Sequence, residues 1–449
     1  MRGGRSIPAA PLPEILREHP LGGRTVSAIA VVFAVLVLAF SISAGWLSRV
    51  YVTAPIVFVV AGAVISAVSP NASGEAAEGI KVVAEVTLAL ILFHDAAQVR
   101  PRQIEADRGL VLRLLLVGLP LTVLCGFLTA RVVFPAMPVM VALLLAAALS
   151  PTDAGLGAAT VLNPAVPVRI RRALNVESGL NDGLITPVVL FAIAAVAGEE
   201  GLSAGVSAVQ GLFELGVGAA VGAAVGAGGG LLLGWSRRRD LSTADTRSLG
   251  VLVLPILAYC LVAVIGGNSF VAAFVAGTAF TAAASWVDEE VSALDRTEGL
   301  SELLGFAVWL VFGVAALPLI QDQVGWRELL FAVLSLSVFR MVPVAVSLIG
   351  SGLRARSVAF IGWFGPRGLA TVVFALLAVE DLEVDDSLRS AISTLAMTVV
   401  LSVILHGLSA EVFATRYGAW VDRERPVTET APATEPRTRR SLVPRWHAQ

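Results

Sequence analysis

Apolar runs of about twenty residues follow one another along almost the whole chain, separated by short charged or Pro/Gly-rich turns. A run of that length, wound as a helix, matches the hydrocarbon thickness of a bilayer. Lipid offers no partner for backbone N–H and C=O groups, so only helices or closed barrels cross it, and these runs are far longer than barrel strands. A window of about twenty residues predicts thirteen spans, at 26–46, 54–68, 82–98, 110–134, 139–162, 174–197, 206–235, 249–266, 270–284, 300–320, 329–349, 358–379 and 391–412. Composition agrees: 56% of residues are apolar, 15% are charged, and the mean hydropathy is +0.83. Soluble domains carry about a quarter charged residues, so the lipid bilayer is the expected solvent. A net charge of −2 gives no reason to expect a nucleic-acid partner. Cys125 and Cys260 both fall in apolar spans, so neither a disulfide framework nor a thiol metal motif is expected.

The turns set the expected orientation. Those after odd-numbered spans carry Arg49, Arg100, Arg102, Arg108, Arg169, Arg171, Arg172, Arg237, Arg238, Arg239, Arg247, Arg296, Arg354 and Arg356. Those after even-numbered spans carry little beyond Lys81, Arg327 and Arg389, and hold Glu199, Glu200, Asp381, Asp385 and Asp386. Positive loops stay cytoplasmic, which places the C-terminus inside. Arg2, Arg5, Arg17 and Arg24 argue the other way, for a cytoplasmic N-terminus or a signal peptide ending near Ser43-Ala44. Lys81 is the only lysine, which reads as a GC-rich bacterial codon habit and suggests a bacterial inner membrane.

Few polar residues interrupt the spans. The sixth reads Glu177-Ser178-Gly179-Leu180-Asn181-Asp182-Gly183. An ionisable side chain at membrane depth costs about 3 kcal/mol on insertion scales and marks an ion or proton pathway. Helical spacing puts Glu177 with Asn181, Ser178 with Asp182 and Gly179 with Gly183. One stripe suits a fixed polar contact, the next offers oxygens to a cation, and the third lets another backbone approach. In the fifth span, Ser150-Pro151-Thr152-Asp153-Ala154-Gly155 should break the helix, because Pro151 lacks a donor. In the twelfth, Gly362-Trp363-Phe364-Gly365-Pro366-Arg367-Gly368 places a permanent cation in a second interruption. The bland alternatives are a simple proline kink and an interfacial loop with a snorkelling arginine. Broken helices at membrane depth are tolerated where they line a cavity, and their freed carbonyls can ligate cations.

The two interruptions lie seven spans apart. With the seventh span as linker, the halves enter the membrane from opposite sides, each broken at its fifth helix. The expectation is therefore an all-α polytopic membrane protein of about 13 transmembrane helices in two inverted-topology repeats, with interrupted helices crossing at the midplane. Its expected parts are a leader (1–24), a first repeat (25–200), a linker helix (201–240), a second repeat (241–415) and a disordered cytoplasmic tail (416–449). Arg340 in the eleventh span needs a buried partner, and Glu177 is the natural one. That pairing leaves Asp182 to titrate. Burial disfavours its charge while a bound cation favours it, so a proton and a cation compete for one group.

Together, Pro151-Thr152-Asp153, Glu177 to Asp182 and Gly365-Pro366-Arg367-Gly368 resemble the signature segments of the first monovalent cation–proton antiporter family, the bacterial NhaP-type Na+/H+ antiporters. The resemblance extends from about the first span to the thirteenth. It implies that Asp182 binds cation or proton in alternation, with Thr152, Asp153, Ser178 and Asn181 completing an oxygen shell for the transported alkali cation. Asn181 before Asp182 implies electroneutral one-for-one exchange. Glu177 with Arg340 would be the family's structural ion pair, and Arg367 would offset the charge of the second broken helix. The family also implies a homodimer working by an elevator-like movement, with no cofactor. The residue after Asp153 is Ala154, where the family commonly has proline. His94-Asp95 has no firm counterpart; Asp95 is a candidate funnel residue, and His406 reads as a packing histidine.

Hard oxygen ligands suit Na+, and also Li+ or K+, better than a transition metal. Other readings are a different broken-helix carrier, such as one for organic anions, or an acidic-lined cation channel. Asp153 and Asp182 argue against anions, and a channel has no need of two matched interruptions. An intramembrane enzyme would need a nucleophile or metal motif, and the chain carries no Gly-x-Ser-Gly, His-Glu-x-x-His or Gly-x-Gly-Asp segment.

Overall fold

A computed structural model of the chain describes residues 22–49, 52–68, 80–99, 108–153, 155–156, 163–198 and 204–431. Most of the leader, Arg100, Arg102, Ala154, the far part of the fifth span (157–162), Glu199, Glu200 and residues 432–449 lie outside the described residues.

The first half contains α1 (Gly22–Arg49), α2 (Ala54–Val68), α3 (Ile80–Gln98), α4 (Arg108–Val133), α5 (Val139–Ala148) and α6 (Val168–Gly198). Then come α7 (Ala204–Arg238), α8 (Ala244–Ile265), α9 (Ser269–Ala283) and α10 (Asp295–Gln323). The last are α11 (Trp326–Ser347), α12 (Ala355–Trp363), α13 (Leu369–Asp381) and α14 (Asp386–Glu424). No strand occurs among the described residues. Among the described residues, eight helices are long and apolar enough to cross a membrane, and α2, α5 and α9 are shorter apolar helices. Large apolar side chains such as Ile42, Val64 and Val264 are exposed, as a lipid-facing surface requires.

Local chemistry sets several helix ends. Thr243 and Thr246 form a reciprocal cap at the start of α8, and Gly266 ends that helix in the left-handed region. Asn268 caps α9 through the Val271 amide (3.0 Å), and Asp385 caps α14 through the Leu388 amide (2.7 Å). Expected boundaries need correction at several helices, including α8, which starts at Ala244 rather than 249 and holds Arg247, counted as a loop charge, buried in its first turn. α6 starts at Val168 rather than near 174, and Arg171 and Arg172, counted as loop charges, are buried in its first turns. Residues 416–424, expected as disordered tail, continue α14, because Tyr417, Trp420 and Val421 pack on Phe360, Phe364 and Ile170. Residues 425–431 are also ordered against the body of the protein.

The seventh segment packs as its glycines suggest. Gly218, Gly222 and Gly226 lie directly on the carbonyls of Asn268, Ala272 and Ala276, leaving no room for a Cβ. α11 bends at Ser337 (φ −116°, ψ −84°), three residues before Arg340. α5 and α12 stop inside the packed interior, and α13 starts there.

Candidate ion site at the crossing of two broken helices

Both interruptions fall where the sequence places them. α5 ends at Ala148, before Pro151 rather than at it, since the residue preceding a proline is driven out of the helical region. Ser150 Oγ donates back to the Ala146 carbonyl (2.6 Å). α12 ends at Trp363, and five non-helical residues separate it from α13.

The two breaks are joined through their backbones: the Asp153 amide donates to the Pro366 carbonyl at 2.8 Å. Each break also carries a charged side chain directed at the other. Arg367, fully buried, donates to the carbonyls of Ser150 (2.7 Å) and Pro151 (3.2 Å) at the open C-terminal end of α5, and to that of Ser335 (3.2 Å). Thr371 Oγ1 takes the Ala148 carbonyl (2.8 Å). Asp153 Oδ2 accepts the Leu369 amide (3.0 Å), the first of α13. Its Oδ1 accepts the amides of Gly155 (2.7 Å) and Leu156 (3.3 Å). A helix C-terminus is a partial negative charge and an N-terminus a partial positive one, so both side chains have the favourable sign. The glycines permit this approach. A Cβ on Gly368 would overlap Asp153 Oδ2, and one on Gly365 would overlap Arg340 Nε.

α6 runs alongside and is tied to the first break at two points. Ser178 Oγ donates to the Thr152 carbonyl (2.6 Å), and Asn181 Nδ2 to Thr152 Oγ1 (2.8 Å). Thr152, Ser178, Asn181 and Asp182 are all buried, with Asp182 7% exposed. Asn181 Oδ1 is buried and accepts no hydrogen bond among the described residues. A buried polar oxygen without a donor is costly. Beside a buried carboxylate it is an oxygen that a cation can satisfy. Glu177 meets Arg340 in a fork of 2.5 and 2.8 Å, with both side chains buried.

The expected residues are therefore brought together, with one difference of emphasis. Three backbone amides occupy Asp153, so its first task is to close α13; an ionised carboxylate has about four acceptor positions, which leaves about one for a cation. Asp95 lies on α3 with its backbone against Gly179, one turn from Asp182. The neighbouring His94 bonds Gln98. His406 is buried, with Nδ1 on the Ser402 carbonyl and Nε2 on the Trp363 carbonyl, both at 3.0 Å. Ser402 Oγ accepts the Arg367 amide (2.7 Å). Ser402 and His406 thus hold both sides of the second break. Their spacing of four on α14 was the available signal.

The family described as sodium/hydrogen exchanger, transmembrane, matches residues 25–416. The chain belongs to the sodium/hydrogen exchanger family. Exchangers of this family are transporters, and the chain is a multi-pass membrane protein. It is similar to the Na(+)/H(+) antiporter of Schizosaccharomyces pombe, 27% identical over an alignment of 327 residues that covers 65% of this chain and 67% of that one. It is also similar to the Na(+)/H(+) antiporter of Saccharomyces cerevisiae, 24% identical over 267 residues, covering 56% of this chain and only 27% of that longer one. Among solved structures, the sodium proton antiporter MjNhaP1 from Methanocaldococcus jannaschii superimposes with a TM-score of 0.69. It is 18% identical, over 88% of this chain and 99% of that one. The exchanger shares that all-helical fold.

Proposed function

We propose that this exchanger moves a monovalent alkali cation, Na+ first and Li+ or K+ in its place, against H+ in an electroneutral one-for-one exchange. Cation and proton alternate at Asp182. Thr152, Ser178 and Asn181 supply neutral oxygens, and Asp153 shapes the shell from the first break. The observation that carries this reading is the buried, donorless Oδ1 of Asn181 next to Asp182. The names of the yeast relatives and of the archaeal structure support Na+ as the first ion to test. Glu177 with Arg340 is the structural ion pair, Arg367 on the Ser150 and Pro151 carbonyls offsets the charge of the broken helices, and Asp95 lines the approach.

The same reading assigns two inverted repeats (25–200 and 241–415) about the linker helix (201–240). Breaks of opposite charge in α5 and between α12 and α13 support it. It also takes the chain as a homodimer in a bacterial inner membrane with the arginine-rich face and the C-terminus cytoplasmic.

The test uses liposomes holding a pH-sensitive dye, with wild type or Asp182→Asn reconstituted. Cations are added outside under an outward proton gradient. Cation-dependent proton efflux by wild type alone, unchanged by a membrane-potential clamp, is the expected result. Full activity in Asp182→Asn would move the role to Asp153, and no response to any alkali cation would end the exchange reading.

A further inference from the structure

Beyond α14 the chain turns back at Arg425, whose φ of 43° lies in the left-handed region. The next residues press onto the arginine-bearing end of the helices around the crossing. The Pro426 carbonyl accepts the amide (3.1 Å) and hydroxyl (2.9 Å) of Thr430, closing a tight turn. Arg169, on the first turn of α6, donates to the Thr428 carbonyl at 2.6 Å. Thr428 sits against Gly352, where a φ of 80° requires a glycine.

This turn buries one carboxylate. Glu429 is 1% exposed, and its Oε1 accepts the Arg354 amide (2.8 Å) and the Ser357 hydroxyl (2.6 Å). Ser357 in turn accepts the Tyr417 hydroxyl at 2.9 Å. Glu429 Oε2 is buried with no hydrogen-bond partner among the described residues. A carboxylate is held in so dry a place only if something compensates it, and the compensation on view is the N-terminus of α12, where the helix dipole is positive.

α12 is nine residues long. Helices that short do not hold themselves in place and depend on their ends and packing. Its far end, Trp363, is held by His406, and four residues further on Arg367 closes α5. Whatever sets the axial position of α12 therefore sets the second break.

We infer that Glu429 is a positioning residue for transport: from outside the helical body it closes the N-terminus of α12 and so fixes the break that carries Arg367. The strap 426–431 is then part of the ion site's frame. This inference rests on the exchange reading above.

The experiment compares full-length wild type, Glu429→Gln and Glu429→Asp in lipid by hydrogen–deuterium exchange and by Na+-dependent proton flux. Gln keeps the shape and removes the charge; Asp keeps the charge on a shorter arm. Glu429→Gln should speed amide exchange along α12 and into 362–368. It should also raise the Na+ KM about two- to fivefold, the fold-change that losing a helix-terminal charge converts to, with a smaller effect on kcat. Glu429→Asp should recover part of both. Faster exchange confined to 354–357 with an unchanged KM would make Glu429 a local cap and overturn the inference, as would unchanged exchange throughout. If wild type itself moves no alkali cation, the exchange reading fails, and exchange at 362–368 alone then decides whether Glu429 positions the break.

Discussion

Asp153 and Arg367 each close the helix that the other's break leaves open. Asp153 sits on the first amide of α13, and Arg367 on the Ser150 and Pro151 carbonyls just past the end of α5. The two charges are opposite in sign, and each is matched to a helix end of the opposite partial charge.

Arg367→Gln should abolish exchange and lower stability by about 1.5–3 kcal/mol per charged hydrogen bond lost. Arg367→Lys should recover only part, because an ammonium cannot reach the Ser150, Pro151 and Ser335 carbonyls with a planar fork. Thermal unfolding in detergent and dye flux in liposomes read the two effects. Pairing the change with Asp153→Asn should give a coupling energy of about 0.5–3 kcal/mol; strict additivity would mean that the two caps act separately.

For Glu177 and Arg340, breaking the pair should hurt more than deleting it. Glu177→Gln or Arg340→Gln leaves one buried charge alone and should cost about 3–5 kcal/mol, whereas replacing both by apolar residues of similar volume should restore most of the stability. Unfolding midpoints of the three variants test this, and equal losses in all three would argue against it.

Gly368→Ala should disable transport without unfolding the protein, since the added methyl falls on Asp153 Oδ2. Gly228→Ala is the control, because a Cβ there meets nothing within 4 Å. Circular dichroism should be the same for both, and flux should be lost only at position 368.

Competition at one carboxylate also has a signature in pH. A cation needs the ionised form, so below the working pKa of Asp182 the Na+ KM should rise by about tenfold per pH unit while the maximal rate at saturating Na+ changes little. A KM independent of pH between acidic and neutral conditions would mean separate sites for the two ions.

Much of this was legible from residue order alone. Long apolar runs, two Pro/Gly interruptions and helical spacing suffice to place Glu177, Asn181, Asp182 and Arg340, because each depends on local periodicity or on the cost of a charge in lipid. What sequence does not carry is which polar atom meets which across the breaks. The resemblance implied a ligand role for Asp153, but nothing in the sequence pointed to the Leu369 amide that it also caps, more than two hundred residues away. His406 looked like a packing residue for the same reason, and Ser402 drew no notice at all. Glu429 sat in a stretch whose composition reads as disorder, and only a turn at Arg425 and a partner at Arg354 give it a place.

The seam of α7 on α9 has a consequence for motion. With Gly218, Gly222 and Gly226 lying on the carbonyls of Asn268, Ala272 and Ala276, one turn apart, a rotation that brought Ala219 or Ala223 to the seam would put a methyl where only hydrogen fits. The seam therefore works like a keyed joint that fixes which face of α7 meets α9. Rolling between these two helices is therefore expected to be blocked, and a sliding surface is to be sought on the other side of α9, towards α6 and the two broken helices.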